Sequence, residues 1–248
     1  MIDQIFNEDC LIGMSRIPDG AVDFVLTDLP FEITKCDWDK KIDLPQFWEQ
    51  INRVTKRGGA IALFSQMPFG AELIMSNRKM FRYEWVWEKS VGAGWFNANR
   101  MPLRSHENIL IFYDKLPTYN PQFTEGKPYT RNHKTYPGGV YQSEGRVPTV
   151  SDGRRYPRDV QKFASAICYG GKLLHNTQKP VDLLEYLIKA YTNEGELVLD
   201  ATIGSGSTAV AAINTNRHFV GFETEKKFFD IAQERIKKAL TERGQALF

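Results

Sequence analysis

The chain contains 248 residues, of which 42% are hydrophobic and 25% are charged, and its net charge at pH 7 is +2. This length and composition are typical of one large α/β domain and exclude collagen-like and largely disordered proteins. No apolar run approaches the ~18 residues needed to cross a bilayer. The first ten residues carry acids where a signal peptide carries bases, and the three cysteines lie far apart. We therefore expect a reduced, cytoplasmic protein without a disulfide framework.

The first half of the chain alternates short apolar runs with segments of helical periodicity. Val22–Thr27 is apolar and β-branched and leads into Asp-Leu-Pro, which is typical of a buried strand followed by a loop. Apolar residues three or four apart predict a helix over Pro45–Thr55, which Gly58 and Gly59 are expected to end. The other predicted elements here are strands at Ala60–Phe64, Tyr83–Lys89 and Asn108–Tyr113 and a helix at Phe69–Ser76.

Regular patterns return in the last third of the chain. The predicted elements are a helix at Pro180–Tyr191, a strand at Leu197–Asp200, a helix from Ser207, a strand at Phe219–Glu223 and an amphipathic helix at Glu225–Leu240. Strands that alternate with helices predict a mainly parallel sheet with helices on both faces.

The middle of the chain is basic and irregular. From Lys115 to Lys172, ten Lys and Arg stand against four Asp and Glu, a net charge of +6 that leaves −4 for the rest of the chain. Six of the ten tyrosines also lie in this segment. Basic residues interleaved with aromatic ones suit a polyanion with stackable bases. A solvated, loop-rich insertion explains the same pattern, so both interpretations stay open at this point.

A glycine-rich turn joins the predicted strand Leu197–Asp200 to the helix that follows it. Glycines let the backbone approach a ligand closely, and Glu223, at the end of the next strand, is placed to bind ribose hydroxyls. The spacing Gly204-x-Gly206-x-x-Ala also satisfies the dinucleotide fingerprint, so an NAD-dependent oxidoreductase is one interpretation. However, Asp200 disfavours a pyrophosphate. A carboxylate here suits a cofactor with a positive amino group and no phosphate, such as S-adenosylmethionine.

The segment Asp28-Leu29-Pro30-Phe31 lies at the carboxyl end of a predicted strand, where open α/β sheets place their sites. It resembles the Asp-Pro-Pro-Tyr motif of DNA amino-methyltransferases, which methylate N6 of adenine or N4 of cytosine. Four further blocks resemble those of the family, in the chain order of its β class. They are Asn7–Leu11 beside the cofactor adenine, Leu174–Pro180 beside the methionine tail, the glycine loop Asp200–Gly206, and the ribose-binding strand end Gly221–Glu223.

The resemblance implies an α/β fold of the circularly permuted, Rossmann-like, S-adenosylmethionine-dependent methyltransferase type, with an irregular target-recognition insertion. It divides the chain into a catalytic half at 1–114, the target-recognition insertion at 115–172 and a cofactor-binding half at 173–248. The cofactor-binding residues that it implies are Asp9, Cys10, Asp28, His175, Lys179, Asp200, Thr202, Gly204, Gly206, Ser207, Thr208 and Glu223.

Three residues depart from the pattern of the family. Leu29 replaces the first proline of the motif, a position that contributes its backbone carbonyl, so leucine is expected to serve. Phe31 replaces tyrosine and keeps the stacking face. Thr202 stands where phenylalanine is usual, which removes an aromatic contact with the cofactor.

The resemblance assigns catalysis to Asp28, Leu29, Pro30 and Phe31. An exocyclic amine on a base is a poor nucleophile because its lone pair is delocalised into the ring. The Asp28 carboxylate and the Leu29 carbonyl, as acceptors for its N–H groups, are expected to make it reactive, while Phe31 stacks on the base. Inside a duplex the amine is inaccessible, so the base must be flipped out. The Asp28 side chain is expected to be solvent-accessible in the empty enzyme.

Aspartate at the catalytic position favours adenine N6 over cytosine N4, by analogy with the family. Double-stranded DNA is the expected partner, and a second copy of the chain and a cognate restriction endonuclease are candidate partners. The expected DNA-binding residues are Arg131, Lys134, Arg154, Arg155 and Arg158. The four histidines are scattered, so no metal site is expected, and neither is a membrane contact. The rival interpretations are the NAD-dependent oxidoreductase and a nucleic-acid-binding protein without turnover.

Overall fold

An eight-stranded sheet forms the centre of the structure, a computed structural model that describes residues 1–30, 42–132, 148–165 and 178–244. The chain divides into two compact units. The larger unit contains the sheet and comprises the described residues up to Asn120 and from Asp159 onward, and the smaller unit is Pro121–Arg158. Within these described ranges, no helix is long and apolar enough to cross a membrane.

All strands of the sheet run parallel except β5, which confirms the predicted, mainly parallel arrangement. The strands of the described chain are β1 (Gln4–Phe6), β2 (Val22–Thr27), β3 (Thr55–Ser65), β4 (Phe81–Ala93), β5 (Arg104–Phe112), β6 (Thr124–Glu125), β7 (Tyr129–Arg131), β8 (Thr149–Ser151), β9 (Arg154–Arg155), β10 (Val160–Phe163), β11 (Leu197–Asp200) and β12 (His218–Phe222). Their order in the sheet is β1-β12-β11-β2-β3-β5-β4-β10.

Helices cover both faces of the sheet, as predicted. They are α1 (Cys10–Met14), α2 (Leu44–Val54), α3 (Phe69–Ser76), α4 (Val181–Tyr191), α5 (Ser207–Asn214) and α6 (Lys226–Glu242). An apolar cluster lies on each face of the sheet. Helices α1, α2 and α3 contribute to the cluster on one face, and α4, α5 and α6 contribute to the cluster on the other. Tyr191 of α4 is fully buried, and its hydroxyl accepts a hydrogen bond from Trp85 Nε1 at 2.7 Å. Because the indole donor is thereby satisfied, the large Trp85 ring can be buried without an unpaired polar group.

Gly58 and Gly59 do not end the helix α2, contrary to the prediction. The helix ends at Val54, and both glycines lie within β3. A side chain at Gly59 would bring its Cβ within 2.7 Å of the backbone oxygen of Asp23, where β2 and β3 meet at an irregular register. The glycine pair therefore permits close pairing of two buried strands and is not a helix stop.

The larger unit takes up part of the segment predicted as the insertion 115–172. Residues Val160–Phe163 form β10 and pair in parallel with β4, which extends the main sheet by one strand. Val86 N donates to the backbone oxygen of Asp159 at 2.8 Å and continues this pairing. The compact smaller unit is therefore shorter than the predicted segment, because the sheet edge captures the residues that follow it.

The smaller unit contains two short antiparallel strand pairs, β6 with β9 and β7 with β8. Gly153 has a φ of +110°, and a Cβ there would lie 2.5 Å from the backbone oxygen of Gly126. The N–H of Gly126 donates to the carbonyl of Gly153 at 2.8 Å. A residue other than glycine at 153 would therefore break the crossing of the two segments.

Candidate active site

The two sequence motifs meet at the centre of the sheet. Strands β2 and β11 are neighbours, with Val198 opposite Phe24 and Leu199 opposite Val25. From β2 the chain continues to β3 on one side, whereas from β11 it continues to β12 on the other. Ligands of open α/β sheets bind at such a switch point, outside the carboxyl ends of the strands. Asp28 and Asp200, which follow or end these two strands, therefore lie at the position that the topology favours for a site.

Thr202 ties the two motifs together. Its hydroxyl donates to the backbone oxygen of Asp28 at 2.9 Å and lies 2.9 Å from the hydroxyl of Thr27. A phenylalanine at this position could make neither bond. The departure at Thr202 thus replaces an aromatic contact with a polar link between the two loops.

Asp28 is held by Lys179 and is less accessible than the sequence predicts. The side chain is 22% exposed, and its Oδ2 forms an ion pair with Lys179 Nζ. Its Oδ1 is buried and has no hydrogen-bond partner among the residues that the structure describes. Burial raises the pKa of Asp28, and the opposing attraction of Lys179 does not cancel that effect. Asp28 therefore presents one fixed oxygen and one buried oxygen with unused acceptor capacity.

Glu107 and Lys89 complete a buried cluster with Asp28 and Lys179. Glu107 Oε2 lies 3.4 Å from Lys179 Nζ, and Glu107 Oε1 pairs with Lys89 and accepts from Gln66 Nε2 at 3.0 Å. Burial raises the pKa of Glu107, but the two lysines outweigh it, so that pKa lies below its ordinary value. Burial lowers the pKa of Lys179, but Asp28 and Glu107 outweigh it and hold that pKa above its ordinary value. Two carboxylates thus balance two ammonium groups.

The residues Glu107 and Lys89 were missed by the sequence reasoning. They lie on β5 and β4, where they form no motif and show only the alternation of ordinary strands. The antiparallel pairing of Trp87 with Glu107 brings them to the carboxyl edge of the sheet. No signal in the sequence could have found them, because strand pairing alone creates the cluster.

Asp200 is a buried carboxylate whose partners are neutral. It is 5% exposed, its Oδ2 accepts from Thr208 Oγ1 at 2.6 Å, and its Oδ1 accepts from Thr202 N at 3.1 Å. Burial raises the pKa of Asp200 to about 6, against the effect of these hydrogen bonds. A positively charged group placed beside it would favour the ionised form. Thr208 therefore supports Asp200 and is occupied by that role.

The helix α6 fixes the glycine turn from behind. Gly206 has a φ of +83°, and a Cβ there would lie 2.9 Å from Ala232 Cβ. Arg235 Nη1 donates to the backbone oxygen of Ser205 at 2.6 Å and lies 3.1 Å from Ser207 Oγ. Burial lowers the pKa of Arg235. Ser207, predicted to bind the cofactor, thus holds the turn through Arg235, a residue that the sequence reasoning did not select.

The end of β12 lies beside the turn and beside the N-terminal motif. Ile203 N donates to the backbone oxygen of Phe222 at 2.9 Å, and Asn7 Nδ2 donates to that of Glu223 at 2.7 Å. The Glu223 carboxylate accepts from Glu225 N at 2.8 Å, and burial raises its pKa. Backbone N–H groups of Glu225 and Gly204 engage this carboxylate, and its two oxygens retain further acceptor capacity toward hydroxyl groups.

Asp9 and Cys10 form the start of α1. The Asp9 side chain accepts from Leu11 N at 2.7 Å and so caps the helix. Cys10 is buried, and burial, with a smaller effect of Asp9, raises the pKa of its thiol to about 12. The thiol is therefore protonated at neutral pH and is not a nucleophile.

The other predicted residues are placed as follows. Leu29 as a whole residue is 1% exposed within the apolar cluster on the α1 face, so its backbone carbonyl is also covered in the free protein. Arg131, Arg154, Arg155 and Arg158 belong to the smaller unit. Phe31, Lys134 and His175 lie outside the described residues. Within the described ranges, no three His, Cys, Asp or Glu side chains are grouped as metal ligands.

Comparison with known proteins identifies a family. A model of the DNA methylase family matches residues 22–234, which is most of the chain. The type II methyltransferase M.BglII of Bacillus subtilis is 32% identical over 258 aligned residues, which cover 94% of this chain and 68% of the relative.

Solved structures share the fold. A complex of M1.HpyAVI with SAM has a TM-score of 0.65 at 23% identity, covering 94% of this chain and 98% of the other. The PvuII DNA methyltransferase, described as cytosine-N4-specific, has a TM-score of 0.68 at 14% identity, covering 96% of this chain and 90% of the other. The fold is thus that of the Rossmann-like methyltransferases, as predicted.

Proposed function

The chain belongs to the DNA methylase family, and on that premise we propose that it transfers a methyl group from S-adenosylmethionine to the exocyclic N6 of a flipped adenine in double-stranded DNA. The observation that carries this proposal is the Asp28 carboxylate. Its Oδ2 is held by Lys179 while its buried Oδ1 has no hydrogen-bond partner among the described residues. A base amine that enters beside this partly exposed side chain supplies the missing partner once Oδ1, buried in the free protein, turns toward its N–H.

The residues of the glycine turn fit the cofactor. S-adenosylmethionine, when bound, supplies a methyl group activated by its sulfonium charge. Asp200 would hold the cationic amino group, since this buried carboxylate lacks a positive partner among the residues named around it. Glu223 would hold the ribose hydroxyls, and Gly204, with a φ of +54°, lets the backbone approach the ligand. Lys179, which pairs with Asp28, would contact the cofactor from the Asp28 side of the site.

Asp28 contributes most when the amine becomes positive. As the amine nitrogen forms its new bond, it gains positive charge that a nearby carboxylate stabilises. The charge grows only during transfer, so this interaction lowers the barrier more than it strengthens substrate binding. The raised pKa of Asp28, caused by burial, also makes the carboxylate a better proton acceptor than an exposed aspartate.

The paired lysines do not oppose this chemistry, because the cluster is electrically balanced. Lys179 and Lys89 bring two positive charges toward a site that must tolerate a cationic cofactor and a cationic amine. Glu107 neutralises one of them and Asp28 the other. We infer that Glu107 positions Lys179 and offsets the repulsion between the Lys179 ammonium and the cationic cofactor and amine. Glu107 itself makes no contact with the substrate.

The choice of adenine rests on the aspartate at position 28, by analogy with the family. Cytosine N4 is the alternative, and the same fold carries that specificity in the PvuII enzyme. Both amines present two N–H groups to the same acceptors, so the geometry around Asp28 suits either base.

The decisive experiment identifies the modified base. DNA methylated by the protein with isotope-labelled S-adenosylmethionine is digested to nucleosides and separated by mass spectrometry. We expect label in N6-methyladenine. Label in N4-methylcytosine alone would contradict the choice of adenine but would support DNA methyltransferase activity. The Asp28→Ala variant serves as the control, and label in neither base with the parent protein would contradict the proposed function itself.

We also infer that the smaller unit contributes to target recognition, within the predicted segment 115–172. The support is its basic, aromatic composition and its position in the chain between the catalytic and cofactor motifs. The relative M.BglII is a type II methyltransferase, and a cognate restriction endonuclease is the corresponding partner to look for. A homodimer is proposed as a second candidate, to be tested by light scattering.

A further inference from the structure

A hairpin extends beyond the catalytic cluster at the same edge of the sheet. The strand β4 runs parallel to β2, so its carboxyl end and Asp28 lie at one edge. Lys89 is the residue of β4 that belongs to the cluster. Beyond it, β4 continues to Ala93 before the chain turns back into β5 at Arg104. Four further residues of strand extend roughly 13 Å. The tip of the hairpin therefore extends beyond the carboxyl edge of the sheet, the edge at which open α/β sheets bind their ligands.

The tip carries aromatic side chains that the described parts of the chain leave exposed. Phe96 is fully exposed and Trp95 is 65% exposed. Met101, in the same turn, is also exposed. Two adjacent large aromatic residues at a solvent-exposed tip lose the free energy that burial would provide, which marks the tip as a contact surface.

The turn has a defined shape. Gly94 adopts a φ of +95° before the single 3-10 turn Trp95–Asn97, and Met101 N donates to the backbone oxygen of Asn97 at 3.0 Å. Below the turn, a Cβ at Gly92 would lie 2.8 Å from Leu103 Cβ, which shows how closely the two arms pack. The two aromatic rings are therefore presented by an ordered backbone, which lowers the entropy lost when they bind.

The base of the hairpin is tied to the catalytic cluster. Arg104 Nη1 donates to Gln66 Oε1 at 2.8 Å, and Gln66 in turn donates to Glu107. Contacts made at the tip are thus linked through Gln66 to the residues that hold Asp28. Residues 90–105 contain Arg100 and Arg104 but no Asp or Glu, so the hairpin is basic as well as aromatic. This charge favours a polyanion as its partner over a second copy of the chain, whose net charge of +2 has the same sign.

We propose that Trp95 and Phe96 form a wedge that enters the base stack of duplex DNA beside the target base and stabilises its flipped-out position. Flipping costs stacking and pairing free energy and leaves a gap in the duplex. Apolar side chains inserted between base steps occupy such gaps in other DNA-bending proteins, and aromatic rings can stack on any base. The proposal rests on the proposed function, because only an enzyme that flips its base needs a wedge.

The test compares two substrates that differ only in the cost of flipping. One is an intact duplex that contains the unmethylated target site. The other is the same duplex with an abasic position opposite the target base. We expect Phe96→Ala and the double variant with Trp95→Ala to lower kcat/KM on the intact duplex by about 5- to 100-fold, the range expected for lost aromatic stacking. On the abasic duplex, the same variants should remain within about twofold of the parent, since little flipping cost remains to be offset.

A matched control removes an exposed apolar side chain elsewhere. Met75 is 68% exposed near the end of α3, just before β4 begins at the opposite edge of the sheet. Met75→Ala should behave like the parent on both substrates. Equal losses on both duplexes, or no loss on either, would overturn the wedge. A parent dimer that becomes monomeric in the double variant would instead assign the tip to self-association. A parent without activity on either duplex contradicts the proposed function and is distinguished from failure of the wedge.

Discussion

Glu107 Oε2 lies 3.4 Å from the ammonium of Lys179, and the same ammonium pairs with Asp28. One carboxylate that makes no proposed substrate contact thus holds the cation that fixes the catalytic carboxylate. The relationship predicts that Glu107 controls both the position and the charge state of Asp28.

We expect Glu107→Gln to reduce kcat and to shift the acidic limb of the pH–rate profile to lower pH. The negative charge of Glu107 raises the pKa of Asp28, so its removal lowers that pKa and Asp28 ionises at lower pH. The measurement is single-turnover methylation as a function of pH. A lower rate with an unshifted profile would indicate a purely structural role. Gln66 donates to Glu107, and Gln66→Glu adds a negative charge at this position. This variant should therefore shift the acidic limb to higher pH.

Asp28→Ala should lower the single-turnover rate by at least about 10²- to 10³-fold, the usual effect of losing one preorganised group. Asp28→Asn keeps the shape and an acceptor oxygen but loses the charge, and it leaves Lys179 without one of its two carboxylates. We therefore expect the Asn variant to be nearly as impaired as the Ala variant. If Asp28→Ala retains more than about a tenth of the parent rate, the catalytic assignment fails.

Asp200 should make cofactor binding pH-dependent. Its pKa of about 6 means that roughly a tenth of the free protein is ionised there at pH 5 and roughly nine tenths at pH 7. The ligand amino group remains protonated over this range, with an ordinary pKa near ~8. We therefore expect S-adenosylhomocysteine to bind about tenfold more weakly at pH 5 than at pH 7, by calorimetry. In Asp200→Asn this difference should disappear, and a parent affinity that is constant across the range would refute the role.

The Asp200 carboxyl should also make the free energy of unfolding depend on pH. This free energy should fall over the pH range in which cofactor affinity rises. The folded-state pKa of the carboxyl is raised, so its favourable contribution is complete below its ordinary pKa of 3.8 and is lost as pH rises through about 6. The loss is about 3 kcal/mol by the usual conversion. Urea unfolding of the ligand-free parent and Asp200→Asn should therefore diverge between pH 4 and pH 7, with the parent losing stability relative to the variant.

Arg154 and Arg155 should have different effects, although they are neighbours in the sequence. The Arg154 side chain is 65% exposed and pairs with Asp152, an exposed pair of small energetic value. Arg155 donates to Ser151 Oγ at 2.7 Å and lies 4.8 Å from the Tyr129 ring centroid. Arg154→Gln should therefore weaken DNA binding and lower the log–log salt slope by about 0.9 per lost phosphate contact.

Arg155→Gln should instead increase hydrogen exchange within the smaller unit, because it removes contacts internal to that unit. Asp152→Asn is the matched control for Arg154: it removes the competing carboxylate and should strengthen DNA binding. Cofactor affinity should stay at the parent value in all three variants. An unchanged salt slope in Arg154→Gln would indicate that this arginine is only solvated.

The sequence by itself was sufficient for six of the eight strands of the sheet and for its two principal motifs. Val22–Thr27, Phe69–Ser76 and Leu197–Asp200 form as predicted because their apolar patterns are local and strong. Asp28, Asp200 and Glu223 could be selected because each follows or ends such a strand, and the carboxyl ends of parallel strands share one edge.

Only the tertiary structure decided what surrounds those residues. Antiparallel pairing across strands brings Glu107 to Lys179 and Lys89 to Glu107, and Arg235 reaches Ser205 from thirty positions later in the chain. Such contacts depend on which elements become neighbours, and local periodicity carries no information about that choice. The same reason explains Asp28. Its position after a strand suggested exposure, whereas a lysine from a distant segment covers it and determines which of its oxygens remains unpaired.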